Sequence, residues 1–284
     1  MNKQFSPTLL EAARVEAAPT FGPMNVFSGT KRGVEIDDVF PLQPALLNSF
    51  FFDFGQSTRG RGYDHHLKRI AILPHSPRIG TMEVAFHDDE PDEYYCNVRH
   101  HTIRGDNIEE RSWTNDIFCR NECTINLDAP EGEGVLQDFV FVLRGLDFHF
   151  RGGDEHLNKI GMLENNGKLT MTIADRHPDS FDWGVKWAWV PKTLFTALGE
   201  SRGTGRGGIR GGASDSIPSG PAVIRGFRFN FKGVRLPIFG TIPDHHIRDI
   251  GVFLQDDGRL STYFEDRSQN DEFEWIVRWG ILAT

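Results

Sequence analysis

The feature that most restricts how this chain can fold is an internal repetition, because a unit written several times must also pack several times. Three segments carry the same four blocks in the same order. The first holds Leu46 to Phe54, Tyr63 to Leu73, Gly80 to Asp88 and Tyr94 to His100. The second holds Val142 to Phe150, Asp154 to Leu163, Gly167 to Asp175 and Phe181 to Trp187. The third holds Val223 to Phe231, Asp244 to Leu254, Gly258 to Asp266 and Phe273 to Trp279. Asp64, Asp154 and Asp244 head the second block in each copy and follow one another at 90 residues.

Every block reads as a β-strand. In the fourth block Phe181, Trp183, Val185 and Trp187 alternate with Asp182, Gly184 and Lys186, the two-residue period of a half-buried strand. Phe273, Trp275, Val277 and Trp279 repeat the pattern, and Tyr94, Cys96, Val98 and His100 hold the same places, so Cys96 reads as a buried thiol where the other copies have Trp. The third block alternates through Leu169, Met171 and Ile173, the first through Phe227, Phe229 and Phe231. The 23 Phe against 4 Tyr are then core filling on sheet faces.

Short polar loops between the third and fourth blocks suit hairpins, and this predicts a four-stranded antiparallel meander as the unit. The expected fold is all-β: three tandem antiparallel β-sandwich-like repeats of about 90 residues, favoured over one pseudo-threefold body in which they share a core. Ser6 as N-cap and Pro7 before TLLEAARVEAA predict one short N-terminal helix. The expected divisions are an arm over 1–20 and repeats over 21–105, 106–192 and 193–284. Within the last, the Gly- and Ser-rich stretch 200–220 reads as a long loop. The spacer carrying DIFCRNECTINLD has room for one or two more strands.

Composition narrows the function classes. With 31 basic against 40 acidic residues, the net charge of −9 opposes a nucleic-acid backbone or an anionic membrane as main partner. No apolar run approaches the ~20 residues of a membrane-spanning helix, and the N-terminus lacks a secretory signal's apolar core. The expectation is a cytoplasmic protein or part of a particle assembled in the cytoplasm. Three cysteines, Cys96, Cys119 and Cys123, are odd in number and too few for a disulfide scaffold, which suits a reducing compartment.

In Phe227, Phe229 and Phe231, then Ile250 and Val252, then Trp275, Val277 and Trp279, the unit resembles the H-type lectin domain, a small antiparallel sandwich of about this length. That resemblance implies binding of glycans, often of the N-acetylgalactosamine type, by oligomers presenting several shallow sites. The matching positions are core positions, and no sugar-contacting residue carries over.

The most suggestive polar residues are Asp64, His65 and His66, Asp154 and His156, and Asp244, His245 and His246, the candidate ligand-binding set. Neighbours on a strand face opposite ways, so an adjacent His pair cannot close on one ion. A metal would need one His from each copy: His66, His156 and His246 around a pseudo-threefold axis would form a three-nitrogen set that zinc accepts. The competing reading is that each Asp and His satisfies backbone groups where a strand begins. Acidic corners at Asp88, Asp89 and Asp92, Asp175 and Asp179, and Asp266 and Asp271 match no EF-hand and read as turns. Gly203 to Gly208 spells G-x-G-x-x-G without the following helix a dinucleotide site needs. Cys119 and Cys123 lack a second pair for zinc, and no nucleophile elbow, phosphate loop or H-E-x-x-H is present.

No cofactor is expected. The leading expectation is a non-enzymatic, lectin-like binding protein whose loop ends meet a glycan or protein partner. The alternative is a structural or adaptor component of a larger, phage-like or secretion-like assembly, a homo-oligomer or particle subunit. A hydrolase with an unrecognised site ranks third.

Overall fold

The structure is a computed structural model that describes residues 20–32, 34–37, 44–54, 67, 69–74, 81–87, 93–104, 108–114, 119–120, 122–128, 131–144, 157–174, 180–206, 212–232, 235–236, 240–241, 247–266 and 272–283. The expected N-terminal helix lies outside them. Among the described residues, the one helical element is a 3-10 turn, Lys192–Leu194.

The first repeat forms β1 (Thr20–Arg32), β2 (Val34–Asp37), β3 (Ala45–Asp53), β4 (Arg69–Pro74), β5 (Met82–His87) and β6 (Glu93–Arg104). The second forms β7 (Glu109–Thr114), β8 (Cys119–Arg120), β9 (Glu122–Asn126), β10 (Glu133–Arg144), β11 (Lys159–Asn165), β12 (Lys168–Ala174) and β13 (Ser180–Val190). The third forms β14 (Phe195–Arg206), β15 (Ala213–Ser216), β16 (Ala222–Phe231), β17 (Arg235–Leu236), β18 (Gly240–Thr241), β19 (Ile247–Leu254), β20 (Arg259–Asp266) and β21 (Glu272–Leu282).

In every repeat the first block pairs with the fourth, as β3 with β6, β10 with β13 and β16 with β21. The second pairs with the third, as β4 with β5, β11 with β12 and β19 with β20. The two halves then meet across repeats: β10 pairs with β4, β16 with β11, and β3 with β19. Each first block is thus completed by the second block of the preceding repeat, with the third repeat preceding the first. The ring closes. The favoured tandem arrangement is thereby corrected: strands pair between repeats, and the body is the pseudo-threefold one with a shared core.

The expected meander is corrected by this pairing, because third and fourth blocks are not neighbours in any repeat. A single repeat cannot cover its own Phe-rich face, whereas exchanging halves covers all three at once. Three six-stranded arrays result: β1-β6-β3-β19-β20-β15, β7-β13-β10-β4-β5-β2 and β14-β21-β16-β11-β12-β9, the last two joined through β8.

The inward rows meet at the centre. Phe50, Phe139 and Phe227, one per repeat, touch pairwise with ring centroids 4.9 to 5.4 Å apart. Trp183 and Trp275 are both buried, as the alternation requires. The Phe50–Phe139–Phe227 equivalence also corrects the register of the second copy. Its first block is Val135 to Leu143, within β10, and not Val142 to Phe150, whose Leu146, Phe148 and Phe150 lie outside the described residues. Each first block carries a bulge at the same place, at Asn48, Gln137 and Arg225, where the register against the fourth block slips.

The stretch 200–220, expected as a loop, contains the end of β14 and all of β15. Its glycines serve ring packing. Gly199, Gly203 and Gly205 stand opposite Trp279, Trp275 and Phe273. A Cβ on them would lie 2.3, 3.1 and 2.4 Å from those rings, so the aromatic side chains occupy the space that a side chain on β14 would need. The spacer with Cys119 and Cys123 holds β8 and β9, as its length allows.

Candidate functional site

Asp64, His65, His66, Asp154, His156, Asp244, His245 and His246 all lie outside the described residues, and so does the metal reading built on His66, His156 and His246. Among the described residues no group of three or more His, Cys, Asp or Glu is placed to hold a metal ion. No helix among them is long and apolar enough to cross a membrane.

What the closed ring presents is three outward sheet faces at equivalent positions. The inward residues match from copy to copy, but the outward ones differ. Phe51 of β3 corresponds to Val140 of β10 and Arg228 of β16, and Tyr263 of β20 to Ala85 of β5 and Thr172 of β12. Tyr95 of β6 corresponds to Asp182 of β13 and Glu274 of β21.

The face of β6, β3, β19 and β20 is aromatic. Phe51 lies 5.2 Å from Tyr263, 5.8 Å from Phe253 and 6.3 Å from Tyr95, centroid to centroid. The Phe51 ring rests on Gly251, where a Cβ would stand 2.8 Å from it. Arg99 stacks over Phe253 at 5.4 Å, a cation on a ring face. Tyr95 is 41% exposed and Val26, on β1, 55%, large apolar surface that a soluble sheet face ordinarily turns inward.

Beside these rings three carboxylates, Asp53, Asp249 and Glu265, occupy facing positions on β3, β19 and β20. Burial pushes the Asp249 carboxyl well above its ordinary range, and the neighbouring Glu265 charge adds to it. Arg248 is their cation, 3.4 Å from Glu265. On the second face burial likewise pushes Asp138 up to about 7, against the pull of Lys186. Lys186 in turn pairs with Glu110 at 2.9 Å, which also accepts from Gln137.

The third face carries a groove of about 540 Å³ lined by Arg202, Arg228, Lys159, Asn230, Thr172 and the carboxylates Glu122 and Glu274, among others. Cys119 and Cys123 are joined to each other in a disulfide at its margin, where β8 and β9 meet, and the Trp183 indole donates to Cys119 Sγ at 3.3 Å. Cys96 is a buried thiol.

Sequence reasoning passed over Phe51, Tyr95, Lys159 and Arg228. A signal for the first two was present: three consecutive Phe at 50–52 must send one ring outward, as must Tyr94-Tyr95.

No protein-family model matches the chain, and no curated protein matches it. Two solved structures overlay on it at 8% identity, covering 92% of this chain and 90% of theirs, with a TM-score of 0.15 each. One is described as "Life in the extremes: atomic structure of Sulfolobus Turreted Icosahedral Virus" and the other as "The Triple Jelly Roll Fold and Turret Assembly in an Archaeal Virus". A TM-score that low carries no argument for this chain.

Proposed function

We propose that this protein is a structural subunit of a larger assembly, in which its three outward sheet faces meet different neighbours. The observation that carries the reading is the contrast between interior and exterior. One chain builds a threefold body around matched Phe rows, yet gives that body an aromatic face, a second face with Val140 and Ala71, and a charged groove. A free symmetric trimer of one-repeat chains presents the same face three times, whereas fusing the copies lets each face specialise. Exposed Tyr95 with Phe51, Phe253 and Tyr263 beside it has the composition of an interface centre, rich in aromatic rings and holding one arginine.

The test is association. Light scattering across a rising concentration series should show the wild-type chain forming larger species, and Tyr95→Glu should suppress them while leaving the melting temperature unchanged. A wild-type chain that stays a monodisperse monomer up to millimolar concentration, alone and in lysate fractions of its source, overturns the reading.

A further inference from the structure

The groove on the β14-β21-β16-β11-β12-β9 face differs from its aromatic counterpart in the side chains at its centre. In the aromatic face the position above Gly251 is filled by the ring of Phe51 and flanked by Tyr263. In the third face the equivalent glycine is Gly161, and the equivalents of Phe51 and Tyr263 are Arg228 and Thr172. An exposed arginine and a short hydroxyl line a groove where the other face carries two rings. At Gly161, which is buried, a Cβ would fall 2.3 Å from the carbonyl oxygen of Phe227, so β11 and β16 approach closely there and add no side chain to the face.

The charge of the lining is specific as well. In a chain of net charge −9, arginines elsewhere are largely matched, as Arg69 with Glu83, Arg225 with Glu133, Arg248 with Glu265 and Arg278 with Glu200. Lys159 and Arg228, on adjacent strands two register positions apart on the same face, form no salt bridge with any described residue. The Glu274 carboxyl, held below its ordinary range by hydrogen bonds from the Lys232 and Asn230 side chains, is lowered further by the Arg228 charge. Around these two cations stand neutral hydrogen-bonding groups, Asn230 and Thr172, and at opposite ends the carboxylates Glu274 and Glu122. From β21 to β9 is four strand spacings, roughly 19 Å.

From this pattern we infer that the groove binds a carboxylate-bearing, polyhydroxylated ligand, the chemistry of an acidic oligosaccharide. Lys159 and Arg228 take the carboxylate by charge-assisted hydrogen bonds, Arg228 in fork geometry. Thr172 fixes a hydroxyl near it and Glu122 accepts from a hydroxyl at one end. At the other, Glu274 is already held by Lys232 at 3.1 Å and by the Asn230 amide at 3.4 Å, which leaves the Asn230 carbonyl oxygen to accept from the ligand. The charge also discriminates: Arg202 is paired with Glu200 and Glu274 with Lys232, which leaves Lys159 and Arg228 against Glu122, too weak a positive field for a bare polyanion. The site is independent of whether the aromatic face assembles.

Amide chemical-shift titration of the full chain tests it, with trigalacturonate, the uncharged galactose trimer of the same linkage and inorganic phosphate as separate arms. Trigalacturonate should shift resonances on β11, β16 and β12, weakening as salt rises, while the neutral trimer binds at least about tenfold more weakly. Lys159→Gln and Arg228→Gln should each cost about tenfold with the unbound spectrum otherwise preserved, since both side chains are exposed. Thr172→Val, which keeps all charges, should weaken trigalacturonate but not phosphate. Absence of shifts up to 10 mM ligand on the order of a weak lectin's range overturns the proposal. So does equal binding of the neutral trimer, and so does phosphate binding as tightly as trigalacturonate.

Discussion

The Asn48 side-chain amide donates to the carbonyl of Ala222 at 2.7 Å, tying the first repeat to the third. Arg225 Nε donates to the carbonyl of Gly134 at 3.2 Å, tying the third to the second. These are one contact made twice about the axis, since each runs from a bulge residue to the residue three places before the next copy's bulge. In the remaining place Gln137 turns to Glu110, and the join is made by His100 Nε2 against the Gln137 carbonyl at 3.2 Å. Asn48→Ala leaves buried carbonyls short of a donor and should lower stability by about 1–3 kcal/mol. Urea unfolding should still show coincident midpoints by tryptophan fluorescence and far-ultraviolet dichroism, because the repeats share their sheets. Separate midpoints would contradict the closed ring.

Removing a repeat should be far worse than its share of the core suggests. A chain ending at Val190 loses β14 to β21, which strips β3 of β19 and β11 of β16 and bares two central strands. The expected product is insoluble or aggregated. A soluble, cooperatively folding monomer from residues 1–190 would show that the halves are not obligately exchanged.

Glycines in β14 should be intolerant for steric and not conformational reasons. Gly205→Ala places a Cβ 2.4 Å from the Phe273 ring and should cost about 1–3 kcal/mol by overpacking. Gly167→Ala, at φ +74° with open space around it, should cost about 1 kcal/mol through backbone strain alone. Chemical denaturation of the pair checks the ranking; equal losses would mean that β14 yields to the added carbon.

The contribution of Asp138 to stability should fall as the solution is made more alkaline through the mildly acidic range. Asp138 is held protonated in the fold up to about pH 7, while an unfolded Asp releases its proton near 3.8. Between those values the native state binds more protons, so unfolding free energy declines with rising pH by up to about 1.4 kcal/mol per unit for this one group. Buried Asp249 adds a slope of the same sign. Asp138→Asn should therefore remove a declining contribution to the melting temperature from pH 4 to 7, and a variant whose pH profile runs parallel to that of the wild type would refute the assignment.

The Cys119–Cys123 disulfide closes a loop of a few residues, which bounds its worth at about 2 kcal/mol. Cys119→Ser with Cys123→Ser should lower stability by no more than that and perturb Trp183, whose indole donates to Cys119. Unchanged fluorescence on reduction would separate the two residues.

Much of the framework was readable from alternation alone. The buried rows of β13 and β21, and the place of Cys96 among tryptophans, follow from a period of two. The second copy's first block was misplaced because Leu146, Phe148 and Phe150 imitate an aromatic row. Equal spacing held the remedy, since Leu46, Val135 and Val223 follow at 89 and 88 residues, whereas Val142 divides that span into 96 and 81. Gly-rich sequence in β14 resembled a linker because glycine's meaning depends on the strand opposite, and a linear reading does not say which strand that is. The strand exchange was hidden for a like reason: identical blocks pair equally well within a copy or between copies, and only the need to cover three faces at once decides. Phe51 and Tyr95 broke the alternation openly, while Lys159 and Arg228 looked like ordinary solvated charges until the depression between them was seen.

The pairing of β3 with β19 sets a timetable for biosynthesis. Phe50 leaves the ribosome about 200 residues before Val252, its neighbour in the finished sheet, an interval of roughly 10 to 40 s at ordinary translation rates. β6 can take one edge of β3 after about 50 residues, but the other edge waits for β19, so through most of that interval the nascent polypeptide carries an apolar strand with one side open to wrong pairing.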